Sequence, residues 1–443
     1  MKARNSSILN GSPFKAITFL LWPLLMSGIF QQLYTVADGI IVGQNLGPNA
    51  LAVLGRSPSN LVGIFNNLST GLISGALVII AQANGANDRK KMAAVITNGL
   101  FLVFVLSAVI MLVYFLAGQP LLSFLKVPES LMDDSLTYLR FYIWGFIPYS
   151  FTMLLINLQR GMGETRRPNF MLSLNYVLYI IFDFLFIIIM KTGMQGVPLA
   201  YIATYVVSMV IMLVTTTRDY DLLNGRQFLD GKIMKEIIRV GVPAAVTSVF
   251  FAISSALITT CMNRLGADVV ASYSVANKIA NVMWIVMSAL ATATVTMVAT
   301  CYGAGKKERI QPALNASAVI GMGSTALIWI ICHLWQQPLL QMFSSDPEIL
   351  RQSGGILDFL TTMFFLYPFL EVYGAAIKGT GHAMIHTVIT LVCVGVARFV
   401  WLLGFPHLLT DVYRVLLAFP LGWALTSLSA FVCFQIKKKD YLK

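Results

Sequence analysis

The chain has 443 residues, 57% of them apolar and only 11% charged, with a formal net charge of +12 and a mean hydropathy of +0.76. Soluble globular chains carry about 25% charged residues, so this composition excludes a string of soluble domains and makes lipid the solvent for most of the chain. The basic excess is spread over short segments rather than gathered in one domain, which argues against a nucleic-acid surface.

The apolar runs are near or above the ~20 residues that cross a bilayer. They are apolar on all sides, whereas barrel strands alternate, so the pattern predicts helices. Twelve are predicted, over 14–44, 49–84, 91–118, 133–160, 167–190, 196–217, 233–264, 268–303, 310–335, 347–377, 383–404 and 411–436. The first run is too long for a signal-peptide core and no small-residue cleavage site follows it, so no cleavable leader is expected. The five cysteines fall singly inside apolar helices and are expected to be small buried residues.

With the N-terminus placed in the cytoplasm, 22 of the 31 Lys and Arg residues fall in inner segments and 5 in outer loops. This positive-inside bias predicts that both termini are cytoplasmic. The remaining four, Arg56, Arg140, Lys278 and Arg398, lie within spans.

The two halves overlay at a shift of roughly 218–220 residues, and internal repeats of this kind set the fold. Trp22-Pro23 faces Val242-Pro243, Leu46-Gly47 faces Leu265-Gly266, and Gln119-Pro120 faces Gln337-Pro338. Arg160-Gly161-Met162-Gly163 faces Lys378-Gly379-Thr380-Gly381. Six spans per half give a parallel repeat about an axis along the membrane normal. The expected fold is an all-α integral membrane protein of 12 transmembrane helices in two pseudo-twofold related six-helix bundles. They are an N-lobe over 14–217 and a C-lobe over 233–436, joined by a cytoplasmic linker over 218–232. Two rocking bundles suit a secondary transporter working by alternating access.

A charge in mid-membrane is a functional hypothesis by default. Of the 19 acidic residues, Asp38, Asp183 and Glu371 fall well inside spans, with Asp358 marginal. At 1.5 Å per residue, Asp38 stands roughly 8–10 Å and Asp183 roughly 10–12 Å from the outer ends of their helices. Two carboxylates in one low-dielectric cavity can hold a proton between them; with added oxygens they can hold sodium. Gln31 and Tyr34 share a helix face with Asp38, as Asn175 and Tyr179 do with Asp183. A structural ion pair of Asp38 with Arg56 is the competing reading. Glu371 and Lys278 form a possible C-lobe site, pairing across the bundle or facing the substrate path. His382 and His386 lack a third ligand, so no metal site is expected. Gly39-x-x-x-Gly43 and Gly71-x-x-x-Gly75 permit close helix approach. Gly303-Ala304-Gly305-Lys306-Lys307 lacks the full phosphate-loop spacing, so no nucleotide site is expected and an ion gradient is the energy source. No catalytic motif is present.

Gln31-Gln32-Leu33-Tyr34-Thr35-Val36-Ala37-Asp38-Gly39, Gly71-Leu72-Ile73-Ser74-Gly75-Ala76 and Ala81-Gln82-Ala83-Asn84-Gly85-Ala86-Asn87-Asp88, with the repeat, resemble the multidrug and toxic compound extrusion (MATE) family over nearly the whole chain. The resemblance implies a monomeric multi-pass protein of the cytoplasmic (inner) membrane, its partners membrane lipid and small, amphiphilic organic cations or drugs. It would export these in exchange for protons, or sodium, without a cofactor. It implies that Asp38 and Asp183 are the cation-coupling residues, supported by Gln31, and sets Asn157 and Thr204 among the polar positions of the N-lobe cavity. Two departures weaken the sodium reading: Tyr179 replaces an asparagine four residues before the helix 5 aspartate, and helix 7 has no carboxylate. The alternative is a lipid-linked oligosaccharide flippase of the same superfamily, kept open by the arginines and lysine within spans.

Overall fold

The computed structural model describes residues 9–55, 57–124, 129–220 and 229–442. Arg56 and the stretch 221–228 of the expected linker lie outside the described residues. The described residues are almost all helical and form no strand. Among the described residues, twelve helices are long and apolar enough to cross a membrane: α1 (Pro13–Leu46), α2 (Leu61–Gly85), α3 (Arg89–Ser123), α4 (Met132–Gly161), α5 (Arg166–Ile189), α6 (Gly193–Arg218), α7 (Gly231–Asn263), α8 (Asp268–Gly303), α9 (Lys307–Leu334), α10 (Pro347–Gly379), α11 (Ala383–Gly404) and α12 (Val412–Ile436). Apolar side chains such as Phe104, Leu116, Trp144 and Val319 stay exposed on their flanks, as lipid-facing residues must.

The structure departs from the sequence reading in three places. Helix continues from Pro13 to Gly55, through Gly47-Pro48 where a loop was expected. One proline removes a single ladder bond, and in a setting without water the rest of the ladder persists. A short extra helix, Gln336–Gln341, fills part of the connection after α9. α10 is broken by a 3-10 turn at Phe364–Leu366, just before Tyr367-Pro368, since Pro368 cannot donate back into the preceding turn.

The chain divides into two compact units, Trp22–Ala245 and Met1–Leu21 with Val246–Lys443. The boundary cuts α1 and α7 rather than the linker. In the first unit the opening stretch of α7 lies hard against α2: a Cβ built on Gly71 would stand 2.2 Å from Ala245 Cα, and one on Gly75 would stand 2.5 Å from the Ile237 carbonyl oxygen. A further Cβ on Gly241 would come within 2.8 Å of Leu72 Cα. These small residues allow the backbones to touch. Lys91 at the start of α3 pairs with Glu236 at 2.8 Å, and Asp230 N donates to Asn98 Oδ1 at 2.9 Å. In the second unit, Lys306 donates to Leu9 O at 3.3 Å and to Asn10 Oδ1 at 2.5 Å, and Arg309 donates to Gly11 O.

Candidate functional site

The spacing of three to four residues puts Gln31, Tyr34 and Asp38 along one side of α1 and Asn175, Tyr179 and Asp183 along one side of α5. In the structure these sides converge within the first unit. The Tyr34 ring lies 4.5 Å from that of Tyr179 and 5.8 Å from that of Tyr176. The Asp38 and Asp183 carboxyls meet closely enough to interact directly. The phenols of Tyr34 and Tyr138 are electrostatic neighbours of both. Asp183 is fully buried, yet among the described residues no donor reaches either of its oxygens or Oδ1 of Asp38. Two unsatisfied carboxyls facing each other can be reconciled with burial by a shared proton or by a bound cation. α5 turns π-helical immediately after Asp183, over Phe184–Ile189, a local widening that recurs at functional positions.

The other expected residues fall at varied places. Asn175 is buried; its Oδ1 accepts from the Ser208 hydroxyl, while its Nδ2 has no partner. Thr204 is buried with its hydroxyl unpartnered. Asn157 donates to Met153 O of its own helix at 2.8 Å, and Gln31 is exposed. In the second unit, Lys278 and Glu371 do not pair, contrary to one of the two readings offered for them. Lys278 is exposed with its Nζ 5.5 Å over the Phe343 ring, and Glu371 accepts from the Tyr367 hydroxyl at 2.6 Å. The lysine's long stem carries its ammonium to the Phe343 ring rather than to the Glu371 carboxylate. The Arg56 reading lies outside the described residues.

Sequence reasoning missed a tyrosine set that runs inward from the carboxyls. Tyr142 stacks on Tyr201 at 4.2 Å, Tyr201 meets Tyr205 at 4.8 Å and Tyr179 at 6.1 Å, and Tyr149 meets Tyr205 at 5.1 Å. Asn66 Nδ2 donates to the Tyr142 hydroxyl at 3.4 Å, and the buried Tyr201 hydroxyl lies beside that of Tyr142, close enough to interact with it directly. The i,i+4 pairs Tyr138/Tyr142 on α4 and Tyr201/Tyr205 on α6 were the available signal. The result is a buried cluster of aromatic rings beside two acids.

A family model described as MatE matches residues 23–185 and 243–402, one segment in each half of the chain. The chain belongs to the MatE family. Members of that family are transporters, so the chain is a multi-pass membrane transporter and not an enzyme. The probable multidrug resistance protein YoeA of Bacillus subtilis is 23% identical over 446 residues, covering 97% of this chain and 95% of that protein. The probable multidrug resistance protein NorM of Thermotoga maritima is 23% identical over 390 residues, covering 87% of this chain and 84% of that protein. Among solved structures, one described as the outward-facing conformation of a multidrug resistance MATE family transporter of the MOP superfamily superposes with a TM-score of 0.90, at 23% identity, over 99% of both chains. The MatE match to each half separately agrees with the internal repeat.

Proposed function

We propose that this MatE transporter exports amphiphilic organic cations across the cytoplasmic membrane in exchange for protons, with Asp38 and Asp183 as the coupling pair. The observation that carries this reading is the meeting of the two carboxyls with no donor among the described residues between them. A proton held between the carboxyls discharges the pair, and an organic cation brings the counter-charge when the proton leaves. The two occupants compete, and competition at one site couples them. The phenol faces of Tyr34, Tyr138 and Tyr179 offer the cation a polarised aromatic surface. Rocking of the helical bundles presents the site to each side in turn.

Protons are favoured over sodium because sodium needs a cage of oxygen ligands. Here Asn175 Oδ1 is occupied by Ser208, and Tyr179 stands where an amide oxygen would help. The names of the two relatives favour drug export over oligosaccharide flipping. The charge bias orients both termini to the cytoplasm.

The test is uptake of a fluorescent cation into proteoliposomes under an imposed proton or sodium gradient, for wild type, Asp38→Asn and Asp183→Asn. Proton-driven transport that both variants lose while remaining folded is the expected result. Sodium-driven transport replaces the ion, and unaltered transport in both variants removes the pair from the mechanism.

A further inference from the structure

The second unit contains a buried charge of the opposite sign. Arg398 on α11 is 1% exposed, with a π-helical segment on either side, Leu391–Val396 and Val400–Gly404. Its Nε donates to Ala418 O and its Nη1 to Ser254 Oγ, each at 3.1 Å. The Phe419 and Phe251 rings lie 4.8 and 5.8 Å from the guanidinium carbon. Among the described residues it forms no ion pair, and the Glu371 carboxylate is held by Tyr367 instead. Its Nη2 is closed off from solvent and has no acceptor. Trp423, also 1% exposed, likewise has an indole Nε1 with no acceptor, and its ring lies 5.6 Å from that of Phe419. Phe419 therefore touches two groups that each hold an unanswered donor.

The contrast with the first unit is direct. The unanswered atoms of Asp38 and Asp183 are acceptors; those of Arg398 and Trp423 are donors. The shift that lays Arg160 on Lys378 lays Asp183 on Trp401, three residues after Arg398. Corresponding helices of the two halves thus carry opposite charges about one turn apart. Helix 12 makes room for this at Gly422, where a Cβ would stand 3.4 Å from Arg398 Nε and 3.3 Å from Val394 Cα.

We propose that Arg398 and Trp423 form a binding site for a monoanionic group, supplied either by a carboxylate on an amphiphilic substrate or by a free halide. A guanidinium kept from water without a carboxylate is costly unless a ligand answers it. The Nη edge of arginine matches a carboxylate in a two-bond geometry that lysine cannot copy, and the indole N–H supplies a further donor. The carboxylate source rests on the drug-export reading; the site itself does not.

The test is equilibrium binding to the purified full chain, read by quenching of tryptophan fluorescence. The probes are a rhodamine bearing a free carboxylate and its methyl ester, with chloride present or replaced by a bulky sulfonate. Wild type is expected to prefer the acid by about 10-fold or more. Arg398→Gln loses that preference but binds the ester as before, and Arg398→Lys recovers part of it. A chloride-dependent rise in melting temperature that Arg398→Gln abolishes, without preference for the acid, identifies a resident halide and also supports the site. Equal binding of acid and ester by wild type with no chloride effect overturns the proposal without any variant. An acid preference unchanged in Arg398→Gln also overturns it. A protein with both Asp38→Asn and Asp183→Asn keeps the acid preference, so failure of the proton-coupling reading leaves this result intact.

Discussion

Asp38 and Asp183 stood out in the sequence because a carboxyl inside an apolar helix is costly in lipid. Replacement by asparagine keeps their size and removes the mutual repulsion. Each variant is therefore expected to fold with wild-type stability yet lose gradient-driven transport by about 10-fold or more, measured by initial rates in proteoliposomes. The tyrosines beside them were not legible as a set. A tyrosine every fourth residue reads equally well as core or lipid-interface belt, and only the meeting of α4, α5 and α6 shows them buried together. The Tyr201 hydroxyl is buried beside that of Tyr142 and interacts with it directly. Tyr201→Phe removes that contact and is expected to lower stability by up to ~1 kcal/mol in a thermal melt, while weakening binding of any ligand that hydrogen-bonds there. Lys278 carried weight on the sequence because it sits within a span, but a long stem carries its charge outward. Lys278→Gln is expected to change stability by no more than about 0.5 kcal/mol and to leave transport rates near wild type.

At the scale of elements, all twelve spans were visible as apolar runs, and their irregularities were not. The 3-10 break at Phe364–Leu366 precedes a proline that lies in a longer apolar run, and hydropathy is blind to a local change of helical pitch. The π segments after Asp183 and around Arg398 leave no mark in composition. The glycines of α2 illustrate the reverse case: the Gly71-x-x-x-Gly75 spacing announced a close approach without naming the partner, which is α7. Gly75→Leu must push against the Ile237 carbonyl and the Gly241 backbone, and overpacking of this kind costs about 1–3 kcal/mol. A lower melting temperature in detergent is expected. Gly39 has no atom within 4 Å of a built Cβ, so Gly39→Ala should hold or raise that temperature, since alanine is favoured over glycine in a helix.

For the whole molecule, the lysine and arginine count carries the orientation, so a fluorescent protein fused after Lys443 is expected to fold and fluoresce on the cytoplasmic side. Protection of that fusion from protease added outside intact cells checks it. The repeat was legible from a handful of matched dipeptides, whereas the grouping of the chain into units was not. Sequence similarity follows ancestry, but packing follows contact, and the contacts assign the opening of α7 to Trp22–Ala245 and the opening of α1 to the other unit.

That grouping has a consequence for how the chain can be divided. A protein severed between residues 221 and 228 leaves the first fragment without the α7 stretch that covers Gly71 and Gly75, and leaves the second without the stretch before α1, Leu9 to Gly11, that Lys306 and Arg309 hold. Each fragment owns a piece that completes the other, the relation found between domain-swapped protomers. Co-expressed fragments should therefore reassemble and co-purify through a tag on either one, whereas each alone should be degraded or aggregate. A duplicated gene with this topology could fuse its copies without inventing an interface, because reciprocal exchange of helix ends had already joined them.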